Sequence, residues 1–200
     1  MEEQPIRSFL AIEVPPEILA EVERVQARLK KTIQGVLRWV RPQAMHLTLK
    51  FLGDIRPSVV PALGEGIRAT LRAARPPALE IRGLGVFPDL NRPRVIWVGA
   101  AGDGEALRVL QRSLEESLEA MGYPRENRPF QPHLTLARIK TPRGLVGLAR
   151  ALEIEGGLCA GAFQADELHL FQSELKPQGA VYTKLASFPL GGGDVARGAD

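Results

Sequence analysis

The sequence has few of the features that mark secreted and membrane proteins. It contains a single cysteine, Cys159, among 200 residues, so an intrachain disulfide is excluded. Because residues 157–160 are otherwise small and apolar, we predict a buried thiol rather than a nucleophile. No apolar run approaches the roughly 20 residues that cross a bilayer, and the acidic residues 1–4 are not typical of a secretory signal. We therefore expect a cytoplasmic protein with no membrane partner.

An excess of one charge sign is also lacking. The 26 Lys and Arg residues exceed the 23 Asp and Glu residues only slightly, and the net charge is +3. This balance is compatible with a nucleic-acid partner but does not indicate one. Hydrophobic residues make up 44% of the chain, which is enough for a substantial core. We predict a monomeric protein with a single domain over residues 1–190 and a flexible tail over residues 191–200, which begins with three glycines.

Strand and helix patterns follow one another along the whole chain. Helices are predicted after Pro15 and Pro16, from an N-cap at Ser58, and from an N-cap at Asp103 to Gly122. The strands are predicted over residues 7–14, 36–40, 46–52, 79–84, 95–98, 133–139, 162–171 and 180–188.

Histidine is rare, and its distribution is the main clue to function. Two of the three histidines begin the same tetrapeptide, His46-Leu47-Thr48-Leu49 and His133-Leu134-Thr135-Leu136. The offset is 133 − 46 = 87 residues. At ordinary residue frequencies a histidine is followed by Leu-Thr-Leu on the order of once in a thousand times. Chance therefore does not explain the repetition.

Strand geometry gives the repeated tetrapeptide a physical meaning. Alternate side chains of a strand point to opposite faces, so His46 and Thr48 share one face while the leucines share the other. The same holds for His133 and Thr135. If a pseudo-two-fold axis relates the two halves, the polar faces meet in a cleft that holds two imidazoles and two hydroxyls.

Such a cleft suits phosphoryl chemistry. One neutral imidazole can accept a proton from the attacking group while the other, protonated, supplies one to the leaving oxygen, and threonine hydroxyls can donate hydrogen bonds to phosphate oxygens. Two alternatives stay open: a polar strand face that is only solvated, and a zinc site. The zinc site lacks a Cys, Asp or Glu at ligand spacing, apart from Asp54. His169 has no threonine two residues on, so we interpret it as a structural or surface histidine.

The segments around both tetrapeptides resemble a known family. Trp39-Val40-Arg41-Pro42-Gln43-Ala44-Met45-His46-Leu47-Thr48-Leu49-Lys50-Phe51-Leu52-Gly53 is similar to the first signature of the RNA 2′,3′-cyclic phosphodiesterases, also called 2′-5′ RNA ligases. These belong to the two-histidine phosphoesterase superfamily. Phe130-Gln131-Pro132-His133-Leu134-Thr135-Leu136-Ala137-Arg138 is similar to the second signature.

The resemblance implies a fold and an activity. The fold is α+β and bilobal, a pseudo-two-fold duplication with two antiparallel sheets facing a central cleft and helices outside. The substrate is RNA with a 2′,3′-cyclic phosphate terminus, which is hydrolysed to a 2′-phosphate without a metal or cofactor. Some members also join tRNA halves reversibly through a 2′-5′ linkage. A non-catalytic module that binds RNA ends and a protein whose main role is ligation remain the alternatives.

The same resemblance implies a role for each motif residue. His46 matches the proton donor to the departing 3′-oxygen, and His133 matches the base that activates water. Thr48 and Thr135 match positions that contact the phosphate.

Three neighbouring residues are weaker candidates. Lys50 shares strand parity with His46, so an unbroken strand predicts that it faces the phosphate. Arg138 lies at an odd offset from His133 and would reach the cleft only through a bulge or a bend. Phe130 is a candidate for stacking on a nucleobase.

Overall fold

Nine strands and four α-helices form from the residues that the computed structural model describes, 3–176 and 179–191. The helices are α1 (Pro16–Thr32), α2 (Val60–Leu71), α3 (Gly104–Ala120) and α4 (Leu148–Glu155). The strands are β1 (Ile6–Ile12), β2 (Gln34–Trp39), β3 (Leu47–Ile55), β4 (Ala78–Phe87), β5 (Val95–Gly102), β6 (His133–Val146), β7 (Cys159–Gln164), β8 (Glu167–Lys176) and β9 (Gly179–Pro189).

The strands form two antiparallel sheets, and each sheet carries one of the repeated motifs. Sheet A has the order β3-β1-β8-β9, and sheet B has the order β2-β6-β5-β4-β7. The first motif leads into β3 of sheet A, and the second opens β6 of sheet B. The pairing is duplicated as well, since Thr48 lies opposite Ala11 on β1 and Thr135 lies opposite Trp97 on β5. The predicted α+β fold with two antiparallel sheets is confirmed.

The core forms where the apolar faces of the sheets meet the helices. All four motif leucines are buried, as the strand parity predicts. The helices bury one face each, and the buried apolar positions recur at helical spacing. Those of α1 are Ile18, Val22, Val25 and Leu29, and those of α3 are Leu107, Leu110, Leu114 and Leu118. Burying one such side chain stabilises the fold by about 1.5–3 kcal/mol.

The two predicted N-caps have different outcomes. Asp103 caps α3, with its Oδ1 accepting a hydrogen bond from the N–H of Ala106 at 3.2 Å. Ser58 does not cap α2 but lies in a 3₁₀ turn, Pro57–Val59, and α2 begins at Val60 without a side-chain cap. Proline in the first turn of α2 supplies helical φ and lacks an N–H that would need an acceptor.

The C-terminal third is more segmented than the sequence predicts. The strand predicted over residues 162–171 is two strands, because the chain leaves sheet B after β7 and enters sheet A at β8. The eight-residue helix α4 was not predicted, because it is too short to establish a helical repeat. The predicted flexible tail falls on residues outside the described part of the chain, apart from Gly191, and the domain bounds stay a prediction.

The predicted buried thiol of Cys159 is wrong. Cys159 is exposed because β7 forms the outer edge of sheet B. Its Sγ donates a hydrogen bond to Oε1 of Glu80 at 3.1 Å.

Candidate active site

His46 lies against the aromatic cleft face of sheet A. Its ring is edge-on to the rings of Phe9, Phe171 and Tyr182, at centroid distances of 5.6, 4.8 and 4.7 Å. These residues come from β1, β8 and β9, so three strands enclose one imidazole. Replacing water by aromatic rings disfavours the charged form of the imidazole.

His133 has an equivalent position on sheet B. Its ring is edge-on to Phe87 at 4.9 Å and tilted against Trp97 at 6.4 Å. Nδ1 lies 2.7 Å from the carbonyl oxygen of Gln131. Because a carbonyl oxygen only accepts, Nδ1 carries the hydrogen and Nε2 is the free lone pair of the neutral ring. That is the form that a general base needs.

Burial controls the protonation of both imidazoles. It lowers the pKa of His46 from 6.5 to about 4, and the Glu13 carboxylate and a backbone hydrogen bond with Ala44 only partly oppose it. Burial also lowers the pKa of His133, and the Arg138 guanidinium lowers it further. Both imidazoles are therefore mainly neutral at pH 7 in the free protein.

The threonines lie where the motif predicts them. Thr48 and Thr135 are half-buried, each between two buried leucines of its own strand. Each hydroxyl is thus on the cleft face of its sheet, two residues beyond its histidine. Sheet A and sheet B supply one imidazole and one hydroxyl each.

A duplicated β-bulge interrupts each motif strand directly after the threonine. Lys50 pairs with Leu10 and Thr48 with Ala11, which leaves Leu49 as an extra residue. On β6, Leu136 is the extra residue in the pairing with β5. The offset, 136 − 49 = 87, is that of the histidines. Beyond each bulge the parity of the strand is reversed.

The second bulge brings Arg138 to the cleft. Leu136 and Ala137 are both buried, and Arg138 is exposed on the same side as His133, whose pKa it lowers. The carbonyl oxygen of Leu136 accepts hydrogen bonds from the N–H of Val40 at 2.9 Å and from Nε2 of buried Gln26 at 3.1 Å. These two donors from outside β6 satisfy the carbonyl oxygen of the bulged residue.

Arg138 lies beside a second arginine on the neighbouring strand. Arg38 on β2 is its direct antiparallel partner, and both side chains are exposed. Like charges in this arrangement repel each other. Burial raises the pKa of Tyr182 on sheet A, and the positive charges of Arg138 and Arg38 partly oppose this shift. Since Tyr182 also contacts His46, the two halves of the site open into one cleft.

The first bulge turns Lys50 away from the cleft, so its predicted position facing the phosphate is wrong. Lys50 is only 1% exposed. Its Nζ lies 2.6 Å from Oε2 of Glu115 on α3 and donates to the carbonyl oxygen of Pro124. Lys50 therefore forms a buried ion pair in the structure.

Comparison with known proteins decides the family. The model of the 2′-5′ RNA ligase superfamily matches residues 13–177. The chain belongs to this superfamily. Among relatives, the RNA 2′,3′-cyclic phosphodiesterase of Methanothermobacter thermautotrophicus is 36% identical over 92% of this chain and 99% of its own length. The enzyme of the same name from Aeropyrum pernix is 39% identical over 80% of this chain and 91% of its own length.

Solved structures of similar proteins agree with the superfamily fold. TT0787 of Thermus thermophilus is 31% identical, with a TM-score of 0.74 over 94% of this chain and 100% of that one. The E. coli protein LigT, solved in complex with 3′-AMP, is 27% identical, with a TM-score of 0.73 over 94% of this chain and 99% of that one.

Several cleft residues of this superfamily member were not found from the sequence. Phe9, Phe171 and Tyr182 come from strands remote from the motifs, and no local pattern marks them. His169, interpreted from the sequence as a structural or surface histidine, is not on the surface but is buried on the cleft side of sheet A beside Phe171. Its Nδ1 lies 2.9 Å from the Ser187 hydroxyl. The two-residue spacing of His169 and Phe171 on one strand was the available signal.

The Phe130 side chain is half-buried and packs against the hydrophobic core. Within residues 3–176 and 179–191, no group of three or more His, Cys, Asp or Glu side chains has the arrangement of a metal site. Among these residues, no helix combines the length and apolar character of a membrane span.

Proposed function

We propose that this member of the superfamily hydrolyses RNA 2′,3′-cyclic phosphodiester ends to 2′-phosphomonoesters, with His46 and His133 as metal-independent acid and base. The main support is the duplicated pair of an enclosed imidazole and a threonine hydroxyl, one from each sheet. The names of the relatives support the substrate class.

The family resemblance assigns one half of the reaction to each histidine, and the neutral ring of His133 is compatible with its role as the base. Nε2 of His133 accepts a proton from water as the water oxygen attacks phosphorus. The bond from phosphorus to the 3′-oxygen breaks, and protonated His46 donates a proton to that oxygen, which leaves the phosphate on the 2′-oxygen. Thr48 and Thr135 donate hydrogen bonds to the non-bridging oxygens, where they stabilise the transition state.

The acid must first become protonated. His46 has a pKa of about 4 in the free protein, which leaves few molecules charged at pH 7. A phosphodiester carries a negative charge, and an opposite charge within a few ångströms raises the pKa of an imidazolium. Substrate binding therefore prepares His46 to act as the acid.

Product analysis tests the activity directly. A short RNA that ends in a 2′,3′-cyclic phosphate is expected to give a 2′-phosphate, at a rate that EDTA does not change. Tight binding of this RNA end without any product would instead indicate a non-catalytic end-binding module. Loss of activity in EDTA with recovery on adding zinc would contradict the metal-independent mechanism.

The pH dependence of kcat/KM is a further expected result. Burial lowers the pKa of both histidines in the free protein, and kcat/KM reports the free enzyme. We expect a bell-shaped profile with both limbs below pH 6.5. The limbs of the kcat profile should lie at higher pH, because bound phosphodiester raises the imidazole pKa values. A kcat/KM profile whose alkaline limb lies above pH 8 would contradict the burial of these groups.

We propose reversible 2′-5′ ligation, with tRNA halves as one substrate, as a secondary activity of the same cleft. A 5′-hydroxyl would take the place of water, and the same bond to the 3′-oxygen would break. The name of the superfamily model supports this extension, and adding an RNA with a 5′-hydroxyl to the product assay tests it. The cytoplasmic location and the monomeric state stay predictions.

A further inference from the structure

The buried ion pair of Lys50 and Glu115 joins separate parts of the chain. Lys50 comes from β3, the strand that follows His46, and Glu115 comes from α3. The Lys50 ammonium also donates to the carbonyl oxygen of Pro124, where the connection from α3 to the second motif begins. The pair therefore links the strand next to His46 with the segment that leads into His133.

The Glu115 carboxylate accepts three hydrogen bonds, and one of them comes from the same segment. Oε2 accepts from Lys50 at 2.6 Å and from the N–H of Glu126 at 3.3 Å. Oε1 accepts from Nε2 of Gln111 at 3.1 Å. The two buried charges thus hold the backbone of the segment at the carbonyl of Pro124 and at the N–H of Glu126.

The loop over residues 124–132 carries the group that orients His133. Its residues, all within the described part of the chain, form neither helix nor strand, so the path of its backbone depends on its anchors. The carbonyl oxygen of Gln131 accepts from Nδ1 of His133 at 2.7 Å, and that of Pro132 accepts from the N–H of Ala100 at 3.1 Å. The ion pair anchors the start of the loop and Ala100 anchors its end. A shift of the loop would move the carbonyl that orients the imidazole.

The other half of the site shows that packing alone does not need a lysine at this position. The residue equivalent to Lys50 on β6 is Ala137, since 137 − 50 = 87, and it is fully buried. A small apolar side chain therefore fills this place in the strand. Apolar replacements of a buried ion pair are often neutral or stabilising, because the pair loses its hydration. The distinct contribution of Lys50 and Glu115 is therefore the anchoring of the loop.

We propose that Lys50 and Glu115 are positioning residues, which act through the loop over residues 124–132 to hold His133 in the orientation that proton transfer needs. Lys50 is 1% exposed and Glu115 6%, so neither contacts the substrate. The proposal rests on the proposed function, since it takes His133 as the base. Misplacing a catalytic group by about 1 Å can lower a rate 10²-fold, so a small movement of the loop is enough.

The test uses Lys50→Met combined with Glu115→Leu, which removes both anchors and leaves no buried charge without a partner. The freed backbone groups of Pro124 and Glu126 belong to exposed residues and can bond to water. We expect urea unfolding close to that of the wild type. On an RNA that ends in a 2′,3′-cyclic phosphate, kcat should still fall by about 10–10²-fold. KM should change little, because the lost contacts orient the base and do not bind the RNA. A purely structural role predicts that kcat returns together with stability.

A second substrate shows which histidine is affected. The phenolate of an aryl phosphodiester leaves without a proton, so hydrolysis of this substrate depends on the base and not on the acid. The double variant should lose the same factor in kcat on this substrate as on the RNA. A loss confined to the RNA would place the effect on His46 and overturn the proposal. Wild-type kcat on both substrates would overturn it as well.

The tautomer of His133 is a measure that does not depend on turnover. Long-range ¹H–¹⁵N NMR spectra of protein with labelled histidine distinguish a hydrogen on Nδ1 from a hydrogen on Nε2. The wild type should show the Nδ1–H form, because Nδ1 donates to Gln131. The double variant should show both forms, since the contact that selects one is weakened. An unchanged tautomer would contradict the proposal. Failure of the proposed function would instead appear as no turnover in the wild type, where the tautomer still tests the anchoring.

Two further double variants complete the experiment. Lys50→Met with Glu115→Gln keeps an amide oxygen that can accept from the N–H of Glu126. Its kcat should lie between those of the wild type and of the first double variant, and it replaces that variant if the first does not fold. Arg28→Met with Glu155→Leu is the matched control, because it removes an ion pair between α1 and α4, with Nε and Oε1 2.8 Å apart. The control should keep the kcat and the His133 tautomer of the wild type. An equal loss of kcat in the control would show a general effect of removing ion pairs and would overturn the proposal.

Discussion

Replacing His133 with alanine is expected to lower kcat on an RNA 2′,3′-cyclic phosphate by about 10³-fold, because general acid–base catalysis contributes 10²–10⁴-fold. Nδ1 of His133 donates to the carbonyl of Gln131, so Nε2 carries the free lone pair that the proposed base needs. Removing the ring leaves water without a proton acceptor at this point. His46→Ala is expected to cause a similar loss by removing the acid. Single-turnover rates with a short RNA ending in a cyclic phosphate measure both effects.

An aryl phosphodiester distinguishes the two roles. Its phenolate leaves without needing a proton, so His46→Ala should lose little activity on this substrate while His133→Ala still loses most of it. The opposite pattern would exchange the assignments. Full activity of either variant on the RNA substrate would remove that histidine from the mechanism.

Lys50→Met is expected to destabilise the fold by about 3–5 kcal/mol, because it leaves the Glu115 carboxylate buried without its partner. The same change also removes the donor to the carbonyl of Pro124. For a protein of this size the midpoint of thermal unfolding should fall by roughly 6–20 °C. Thermal and urea unfolding followed by circular dichroism measure the change.

Two variants are controls for the Lys50 experiment. Lys50→Met combined with Glu115→Leu should recover most of the lost stability, since apolar replacements of a buried ion pair are often neutral. Arg150→Met breaks an exposed ion pair with Glu153 and should cost at most about 1 kcal/mol. A Lys50→Met protein as stable as Arg150→Met would show that the charge of Glu115 finds another partner or is neutralised.

The local part of the fold was predictable because it depends on short-range patterns. Alternation placed the motif leucines in the core and the two histidines on the opposite side, and helical spacing identified α1 and α3. Asp103 was recognisable as a cap because its acceptor serves an N–H only three residues away. In each case the residues that carry the information are close together in the chain.

The bulges were not predictable because their partners are remote. Gln26, 110 residues away in the chain, donates a hydrogen bond to the carbonyl oxygen of the bulged residue Leu136. The sequence around Leu136 does not predict the bulge. The uninterrupted parity therefore placed Lys50 in the cleft and Arg138 outside it, and the structure reverses both positions. Arg138 reaches the cleft because of the bulge, which an arginine at an odd offset from His133 needs.

The site was predictable in its groups but not in its environment. The repeated motif predicted that two imidazoles and two hydroxyls line the cleft, because they recur at one spacing on one strand face. The low pKa of His46 depends on Phe9, Phe171 and Tyr182, which approach it from other strands of sheet A. The protonation state of His46 therefore depends on the tertiary structure and not on the local sequence.

Arg38 and Arg138, paired across neighbouring strands, make the cleft electrostatically frustrated. The backbone pairing of β2 with β6 holds the two arginines side by side, so they can separate only if that pairing is broken. A phosphate between the sheets would relieve that repulsion, and any ligand that binds only the folded state stabilises it by mass action. A bound substrate phosphate would then stabilise the folded protein, in addition to undergoing the reaction.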